Sequence, residues 1–442
     1  MVNAYASVPV DPESAAALEE RGLSLAVLDA ADKEALAVWV LADARGFHEI
    51  TPSESSLTVQ VDDISTDRVT GVWDASQADP ATPVATVRSW EMGLTVPGGV
   101  TLPSYAISSV TVSPTHRRRG IARAMLTGEL RTAVRLGLPM AMLTVSEATI
   151  YGRYGFGPSA RQSAYIVDTS RARWTGPTPA GRIQFVSPES LLADGPAVFD
   201  RTRDRSPGEV DRREIWWKRT LGLLPNEPDA RKRGIRAVRY DDANGEIAGF
   251  ALYEIALQNV SQPGQLKLVD LVAATDDAYA ALWRFLVEMD MVNEISAPLR
   301  SVSEPVAWQV ADHRAVRKTS ERDHLWLRIL DVPAALAARR YTAPGQYLLD
   351  VTDELGFAQG RFLLTVAADG SGHAHPLLDA AAPAGAVEVA LSAADLASLY
   401  LGGTSAVDLA RAGRITELTP DAAVRLDTAL HSAYAPHLST WF

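Results

Sequence analysis

Between Val110 and Arg123 the chain reads Val-Thr-Val-Ser-Pro-Thr-His-Arg-Arg-Arg-Gly-Ile-Ala-Arg, and this stretch constrains the fold more than any other. Residues 106–112 (AISSVTV) are rich in β-branched side chains and stop at Ser113-Pro114, the pattern of a strand followed by a break. From Arg119 to Leu136 apolar residues recur near helical spacing, at Ile121, Ala124, Met125, Leu130, Ala133 and Val134. At a helix start several backbone N–H groups lack partners and the dipole is positive, so an anion is favoured there. Gly120 permits close backbone approach and the small Ala122 keeps the next turn clear. Arg117, Arg118, Arg119 and Arg123 add charge-assisted contacts to a diphosphate. The loop is not a Walker loop, because no Gly-Lys-Ser/Thr follows, and the dinucleotide fingerprint Gly-x-Gly-x-x-Gly is missing as well.

The rest of the chain divides into three parts, residues 1–177, 178–330 and 331–442. In the first, helices are expected over 12–21, capped by Asp11, and over 29–43. Strands follow at 57–61, 68–73 and 83–92, then a Pro/Gly-containing loop at 95–103. After the basic helix come a strand at 140–145 and a short helix at 147–154, giving a mixed α/β unit. A linker is expected over 170–179. The second part repeats this outline: a hairpin turning at Asn244-Gly245, a strand at 266–273 and a helix over 276–291. Thr275, Asp276 and Asp277 open that helix, where they cap well but repel a phosphate. The reading is a duplicated fold whose second copy has lost the anion site; an unrelated α/β unit is the alternative. The third part is α+β, with strands at 346–351, 360–367, 374–378 and 386–391 and helices at 393–400, 405–412 and 420–430. The Ala-rich run 380–386 reads as a loop.

Composition narrows the function classes. The chain has 442 residues, 42 Lys plus Arg against 54 Asp plus Glu, and a net charge of −12. That balance argues against broad nucleic-acid binding and suits a cationic small substrate. Cysteine is absent, which removes disulfides, thiolate metal sites and a cysteine nucleophile. No stretch is long and apolar enough to span a membrane, and residues 1–14 carry no export signal, so a cytoplasmic protein is expected. His373 and His375 lack a third ligand, so a metal site is not expected and a surface strand is.

Residues 148–158 read Ala-Thr-Ile-Tyr-Gly-Arg-Tyr-Gly-Phe-Gly-Pro. Tyr151 and Tyr154 lie three apart on one helical turn. A tyrosine of pKa about 10 stays protonated at neutral pH and can protonate a departing thiolate of pKa about 8.5. These residues alone do not choose between the two, and each is equally an amphipathic core residue.

With Arg117-x-x-Gly120-x-Ala122 between strand and helix, the chain resembles the GNAT superfamily of N-acetyltransferases, whose coenzyme A loop has this form. The Tyr-Gly-Arg-Tyr-Gly-Phe-Gly-Pro string resembles a narrower group, the Eis (enhanced intracellular survival) family. That resemblance implies a catalytic GNAT domain, a degenerate second GNAT copy and a C-terminal domain similar to sterol carrier proteins. It implies acetyl-CoA as co-substrate, with contacts on Val110, Thr111, Val112, Arg118, Arg119, Gly120, Ile121, Ala122, Arg123, Ser146 and Glu147. It also implies Tyr151 as general acid, the terminal carboxylate of Phe442 as general base, Glu49 near the acceptor pocket, and a homohexamer. The acceptor implied is an aminoglycoside-like amine, acetylated directly and at several amines in some members. A lysine-peptide acetyltransferase and a non-catalytic acyl-CoA or lipid-binding protein are the alternatives.

Overall fold

The computed structural model describes residues 5–256, 263–378 and 381–442. The chain opens with α1 (Pro12–Glu19), β1 (Ser24–Val27), α2 (Lys33–Gly46) and α3 (Glu54–Ile64), then β2 (Arg68–Trp73), β3 (Ala85–Thr95) and β4 (Thr101–Val112). Next come α4 (Ile121–Arg135), β5 (Met140–Thr144), α5 (Ala148–Tyr151) and β6 (Gly157–Asp168). The second part holds β7 (Arg182–Val186), α6 (Pro188–Arg203), α7 (Glu214–Thr220), α8 (Asp229–Gly234), β8 (Arg236–Asp241) and β9 (Ile247–Ala256). It continues with β10 (Gly264–Ala273), α9 (Asp276–Val287), β11 (Val292–Arg300) and β12 (Val316–Ile329). The third part contains α10 (Val332–Ala338), β13 (Gly345–Thr352), β14 (Gly360–Val366), β15 (Gly372–Pro376) and β16 (Val387–Ser392). It closes with α11 (Ala393–Tyr400), α12 (Ala406–Arg411), β17 (Ile415–Glu417) and α13 (Ala422–Leu430).

Two expectations are corrected. Residues 57–61 are the middle of α3, not a strand. Ser53 caps that helix by accepting from the Ser56 N–H at 3.3 Å, and Leu57, Val61 and Ile64 recur at helical spacing, which outweighs the β-branched content. The stretch 95–103 is not a loop: β3 runs to Thr95 and β4 starts at Thr101, with Leu94 paired to Leu102. The Pro/Gly signal marks only the tight turn, closed by Val96 N–H to Val100 O at 2.9 Å. Smaller differences concern ends. The helix expected to 291 stops at Val287, and the strand expected over 374–378 is Gly372–Pro376. The loop expected over 380–386 begins outside the described residues, as does the N-terminal stretch before Tyr5.

Twelve strands form one sheet, in the order β1-β2-β3-β4-β5-β12-β6-β11-β10-β9-β8-β7. The order is unexpected in one respect. β12, from the second part, inserts between β5 and β6 of the first, pairing Leu325 with Thr144 and Ile329 with Met140. β6 in turn pairs with β11. The two α/β parts therefore share one hydrogen-bonded sheet. On one face α1 packs Leu18, and α4 packs Met125, Leu126 and Leu130, against Val87, Tyr105 and Leu143. On the other, Trp90, Met142, Leu325 and Leu327 merge with Leu396, Leu399 and Tyr400 of the third part, whose own sheet has the order β15-β14-β13-β16-β17. Glu129 of α4 enters the core, where it accepts from Ser89 Oγ (2.6 Å), the Tyr105 hydroxyl (2.7 Å) and Arg68 Nε (3.3 Å). A buried carboxylate demands that many partners.

After α13 the chain runs back across the second part. The His437 N–H donates to Pro207 O at 2.8 Å, the Ser439 N–H to Glu209 Oε2 at 3.2 Å, and His324 Nε2 to Thr440 O at 2.8 Å. The Phe442 ring then stacks on Trp216 of α7 (centroids 6.2 Å apart) and meets Trp90 of β3 edge-on (5.8 Å).

Two stability predictions follow from these ties. Arg328 of β12 and Asp353 of the third part are almost fully buried, one guanidinium nitrogen donating to both carboxylate oxygens at 2.8 and 2.6 Å. Asp353→Ala strands that guanidinium, so we expect a loss of roughly 3–5 kcal/mol, read as a lower urea midpoint. Burial pulls His324 down from its ordinary 6.5 to about 4, against the pull of its bond to Thr440. The native state thus stays unprotonated where the unfolded chain binds a proton, and stability falls as pH drops from 6.5 towards 4. His324→Gln, which keeps a donor, should remove up to about 1.4 kcal/mol per pH unit of that slope in denaturation curves.

Candidate active site

The site begins where two parallel strands part. The registered pairs of β4 with β5 are Tyr105 with Ala141 and Ala106 with Met142, yet β4 continues to Val112. On its other side β4 carries a bulge: Thr86 faces Thr111 and Arg88 faces Ser108, so Ser109 and Val110 together oppose Val87. Ser109 sits at φ +54°, a left-handed conformation that a side chain adopts only when its surroundings hold it there. The Thr86 hydroxyl is the holding point, lying 2.9 Å from Ser109 O, 2.6 Å from Thr111 Oγ1 and 3.1 Å from Asp43 Oδ1. α2 lies against the bulged strand, where Gly46 approaches so closely that an added Cβ would come within 2.5 Å of the Thr111 side chain.

A cavity of about 150 Å³ occupies the divergence. Ile107, Ser108, Ser109 and Val110 line one wall, Leu143, Thr144 and Ser146 the other. Tyr151, Phe47, Trp441 and Phe442 close it. Tyr151 is 6% exposed. Burial raises its pKa above the ordinary 10, while a hydrogen bond with Ser146 pulls the other way. Tyr154, equally buried, is packed among the residues under α4 and does not line the cavity. The structure thus separates two tyrosines that the sequence left equivalent. On the β5 wall, Thr144 Oγ1 donates to a main-chain oxygen of Phe442 at 2.6 Å.

The basic loop leads into the start of α4. Arg118 (φ +63°) and Gly120 (φ +74°) are both left-handed, and Gly120 caps the helix with no side-chain hydrogen bond. The N–H groups of Ile121, Ala122 and Arg123 are therefore left for an external acceptor. A Cβ on Gly120 would fall on the Arg21 guanidinium, which donates to Arg119 O. The arginines then divide. Arg117, Arg118 and Arg123 are exposed and make no ion pair among the described residues. Arg119 instead pairs with Asp74 at 3.3 Å and donates to Arg21 O at 3.1 Å. Hydrogen bonds from Ser76, and then from His116, hold Asp74 well below the ordinary carboxylate range. Arg119 braces the loop. Its neighbours face solvent.

Among the remaining residues singled out from sequence, Thr111 turns its side chain towards α2, Val112 packs under α4, and Ile121 is buried there. Ser146 lines the cavity; Glu147 is exposed at the start of α5. Glu49 is exposed two residues beyond Phe47 and does not line the cavity. Asp43, nearer the bulge, is lifted to about 6 by burial, against the Thr86 and Ser109 hydrogen bonds, with the Glu49 charge adding to the rise. His373 and His375 stand on the exposed strand β15, ring centroids 6.0 Å apart. Sequence reasoning did not single out Trp90, Thr144 or Trp216. Trp216 comes from a different α/β part, and the backbone pairing of Gly208–Asp211 with Gly93–Thr95 brings it beside β3. Arg213 beside it lies over the Trp90 ring at 4.4 Å and pairs with Asp67 at 2.8 Å. Among the described residues no helix is long and apolar enough to cross a membrane.

Comparison with known proteins agrees with this geometry. One family model described as an acetyltransferase (GNAT) domain matches residues 30–159, a second of the same description matches 208–329, and a sterol carrier protein domain matches 332–439. An uncharacterized N-acetyltransferase of Streptomyces avermitilis is 38% identical over 80% of this chain and 84% of its own. The N-acetyltransferase Eis of Mycobacterium tuberculosis is 35% identical over 77% of this chain and 81% of its own. The crystal structure of Eis1 from Mycobacterium abscessus superposes with a TM-score of 0.77 at 28% identity, covering 95% of this chain and all of that one. Two GNAT domains in one sheet and a sterol carrier protein domain behind them make this chain a member of the Eis family of GNAT N-acetyltransferases.

Proposed function

We propose that the chain transfers the acetyl group of acetyl-CoA directly to a primary amine of an aminoglycoside-like polyamine, with Tyr151 as general acid and the terminal carboxylate of Phe442 as general base. One observation carries the reading: Tyr151 and Phe442 line the same cavity, in the gap between β4 and β5. Acetyl-CoA fits the features around that gap. The free N–H groups at the start of α4, with exposed Arg118 and Arg123, suit its diphosphate, and the unpaired edge of β4 at Val110–Val112 suits its amide-bearing arm. Bound there, it supplies an electrophilic thioester carbonyl.

The chain's own groups do the rest. β4 N–H groups at the divergence stabilise charge developing on the carbonyl oxygen. The acceptor nitrogen is held at roughly 3–3.5 Å from the carbonyl carbon and forms the new C–N bond. As the C–S bond breaks, the Tyr151 hydroxyl gives its proton to the departing thiolate. The amine's proton passes to the Phe442 carboxylate, which the Thr144 hydroxyl orients. No cysteine is available to carry the acetyl group, so transfer is direct. Glu49, exposed two residues beyond the Phe47 wall, offers a carboxylate to a polycation with several acylable amines. A lysine peptide shares the chemistry and differs only in shape. A lipid-carrier role is disfavoured by the interior of the third part. There the Arg339 guanidinium lies over the Tyr341 and Tyr400 rings at 4.9 and 5.9 Å, where a lipid tail needs apolar space. The same reading carries a cytoplasmic homohexamer, and exposed Ile50, Phe185 and Trp308 are surfaces that self-association would cover.

Thiol release from acetyl-CoA, which this cysteine-free protein does not mask, tests the reading against aminoglycosides, polyamines and lysine peptides. Release with aminoglycosides is the expected result; release with peptides alone would move the acceptor class, and none with any amine would end the proposal. Tyr151→Phe should lower kcat about 10²–10⁴-fold. Because burial raises Tyr151, the wild-type rate should hold on the alkaline side until above pH 10, and this limb should be missing from the residual activity of the variant. Deleting Phe442 should lower kcat by at least about 10²-fold; a C-terminally extended protein with full activity would remove the carboxylate from the mechanism.

A further inference from the structure

The second GNAT copy repeats the divergence that makes the site of the first. β10 pairs in parallel with β11 from Gly264 with Val292 to Lys267 with Ser296, after which β10 continues to Ala273 and β11 to Arg300. A cavity of about 280 Å³ lies at this second parting, with Asp270–Ala273 and Arg300 on one side. Its other side is the C-terminal tail, at Tyr434, His437 and Ser439. The acidic opening of α9, Asp276 and Asp277, disfavours a diphosphate here.

We propose that this second gap is the dock that sets where the Phe442 carboxylate lies, with Arg212 and His437 as positioning residues, an inference that rests on Phe442 acting as the base. His437 Nε2 donates to Leu299 O at 2.9 Å, and Leu299, at φ +50°, turns that carbonyl out of the β11 ladder. Arg212 reaches the other strand. One of its terminal nitrogens donates to Asp270 of β10 at 2.6 Å and the other to Ser439 Oγ at 2.7 Å. Its guanidinium lies over the Phe199 and Trp217 rings, at 4.2 and 5.0 Å. Glu209 takes the Ser439 N–H. The tail is thus tied to both parted strands of the second copy, and His324 fixes Thr440 immediately after. The Trp441 ring then meets His324 edge-on at 4.3 Å, and Phe442 ends in the parting of the first copy. One gap has become the template that loads the other.

The test uses the full chain. Ser439→Ala with His437→Leu should lower kcat about tenfold or more while the calorimetric Kd of coenzyme A changes less than about twofold, since each lost hydrogen bond weakens the tail and not the α4 loop. Ser439→Thr, which keeps the hydroxyl, should retain the wild-type kcat. Deletion of Phe442 is measured alongside. If that deletion abolishes turnover while the double variant keeps full kcat, the dock is wrong and the base assignment stands. If the deletion leaves turnover intact, both fall. Should the double variant fail to fold, Ser439→Ala alone decides, read by carboxypeptidase release of Phe442. Faster release with lower kcat supports the dock, and unchanged release and kcat overturn it.

Discussion

The early separation of β4 from β5 is the constraint around which the molecule is arranged. A strand that leaves its partner inside a protein exposes N–H and C=O groups that must find other partners. Here the separation is supported on both flanks. The bulge at Ser109 bends β4 away, and the Thr86 hydroxyl ties that bend to Asp43 at the end of α2. On the far side β5 keeps a full antiparallel ladder with β12. The gap can therefore stay open without loosening the sheet, and the unpaired edge of β4 along it is of the kind that an extended, amide-bearing ligand pairs with.

Strand exchange gives the duplication its physical meaning. β12 crosses from the second GNAT domain to line the first, β6 crosses the other way to pair with β11, and α7 sends Trp216 under Trp90. Neither GNAT domain has a complete sheet by itself, so the second copy cannot be lost even though its helix start is acidic. On the proposed reading its remaining work is mechanical: it carries a cleft that holds chain instead of ligand. The sterol carrier protein domain has a comparable role. Its buried Arg339, over the Tyr341 and Tyr400 rings, donates to Leu430 O at the end of α13, where the tail begins.

Local chemistry was legible in the sequence, and long-range placement was not. The strand–basic loop–helix of 106–136 stands out because each piece has its own signal: β-branched residues, a Ser-Pro break, a glycine, then helical spacing. The Asn244-Gly245 turn was equally plain. α3 was misread because its composition resembles a strand while its Ser53 cap and its spacing specify a helix; the spacing is the better guide. What no local pattern encodes is that β12 leaves its own domain, since the pairing edge is chosen by the sheet as a whole. Trp90, Thr144 and Trp216 were invisible as site residues for that reason, each being an ordinary core or strand residue until Phe442 arrives beside it. Tyr151 and Tyr154 illustrate the same limit. Three residues apart on one turn, they are told apart only by which one faces the gap.

On the proposed reading a tyrosine acid is paired with a carboxylate base, and that pairing sets a puzzle of proton affinities. A terminal carboxylate has a reference pKa of about 3.3–3.7 and an alkylammonium about 10, so the carboxylate cannot strip a resting ammonium in one easy step. Two features narrow the gap. The apolar part of the cavity wall, Trp441, Leu143 and Ile107, disfavours a bare ammonium and so favours entry of the acceptor as the neutral amine. The nitrogen also becomes far more acidic once it bonds to the carbonyl carbon, so the carboxylate need only collect a proton that the chemistry has already loosened. Tyr151 faces the reverse demand. Burial raises its affinity for the proton, which keeps it loaded at neutral pH but makes it a weaker acid, and the Ser146 hydrogen bond opposes that rise. A thiolate of pKa about 8.5 is itself the weaker base, so its leaving ability carries most of the step and the tyrosine serves to stop its return. On the proposed reading the two groups are matched less by their own pKa values than by their positions, both lining one gap, where one takes the proton lost from nitrogen and the other supplies the proton gained by sulfur.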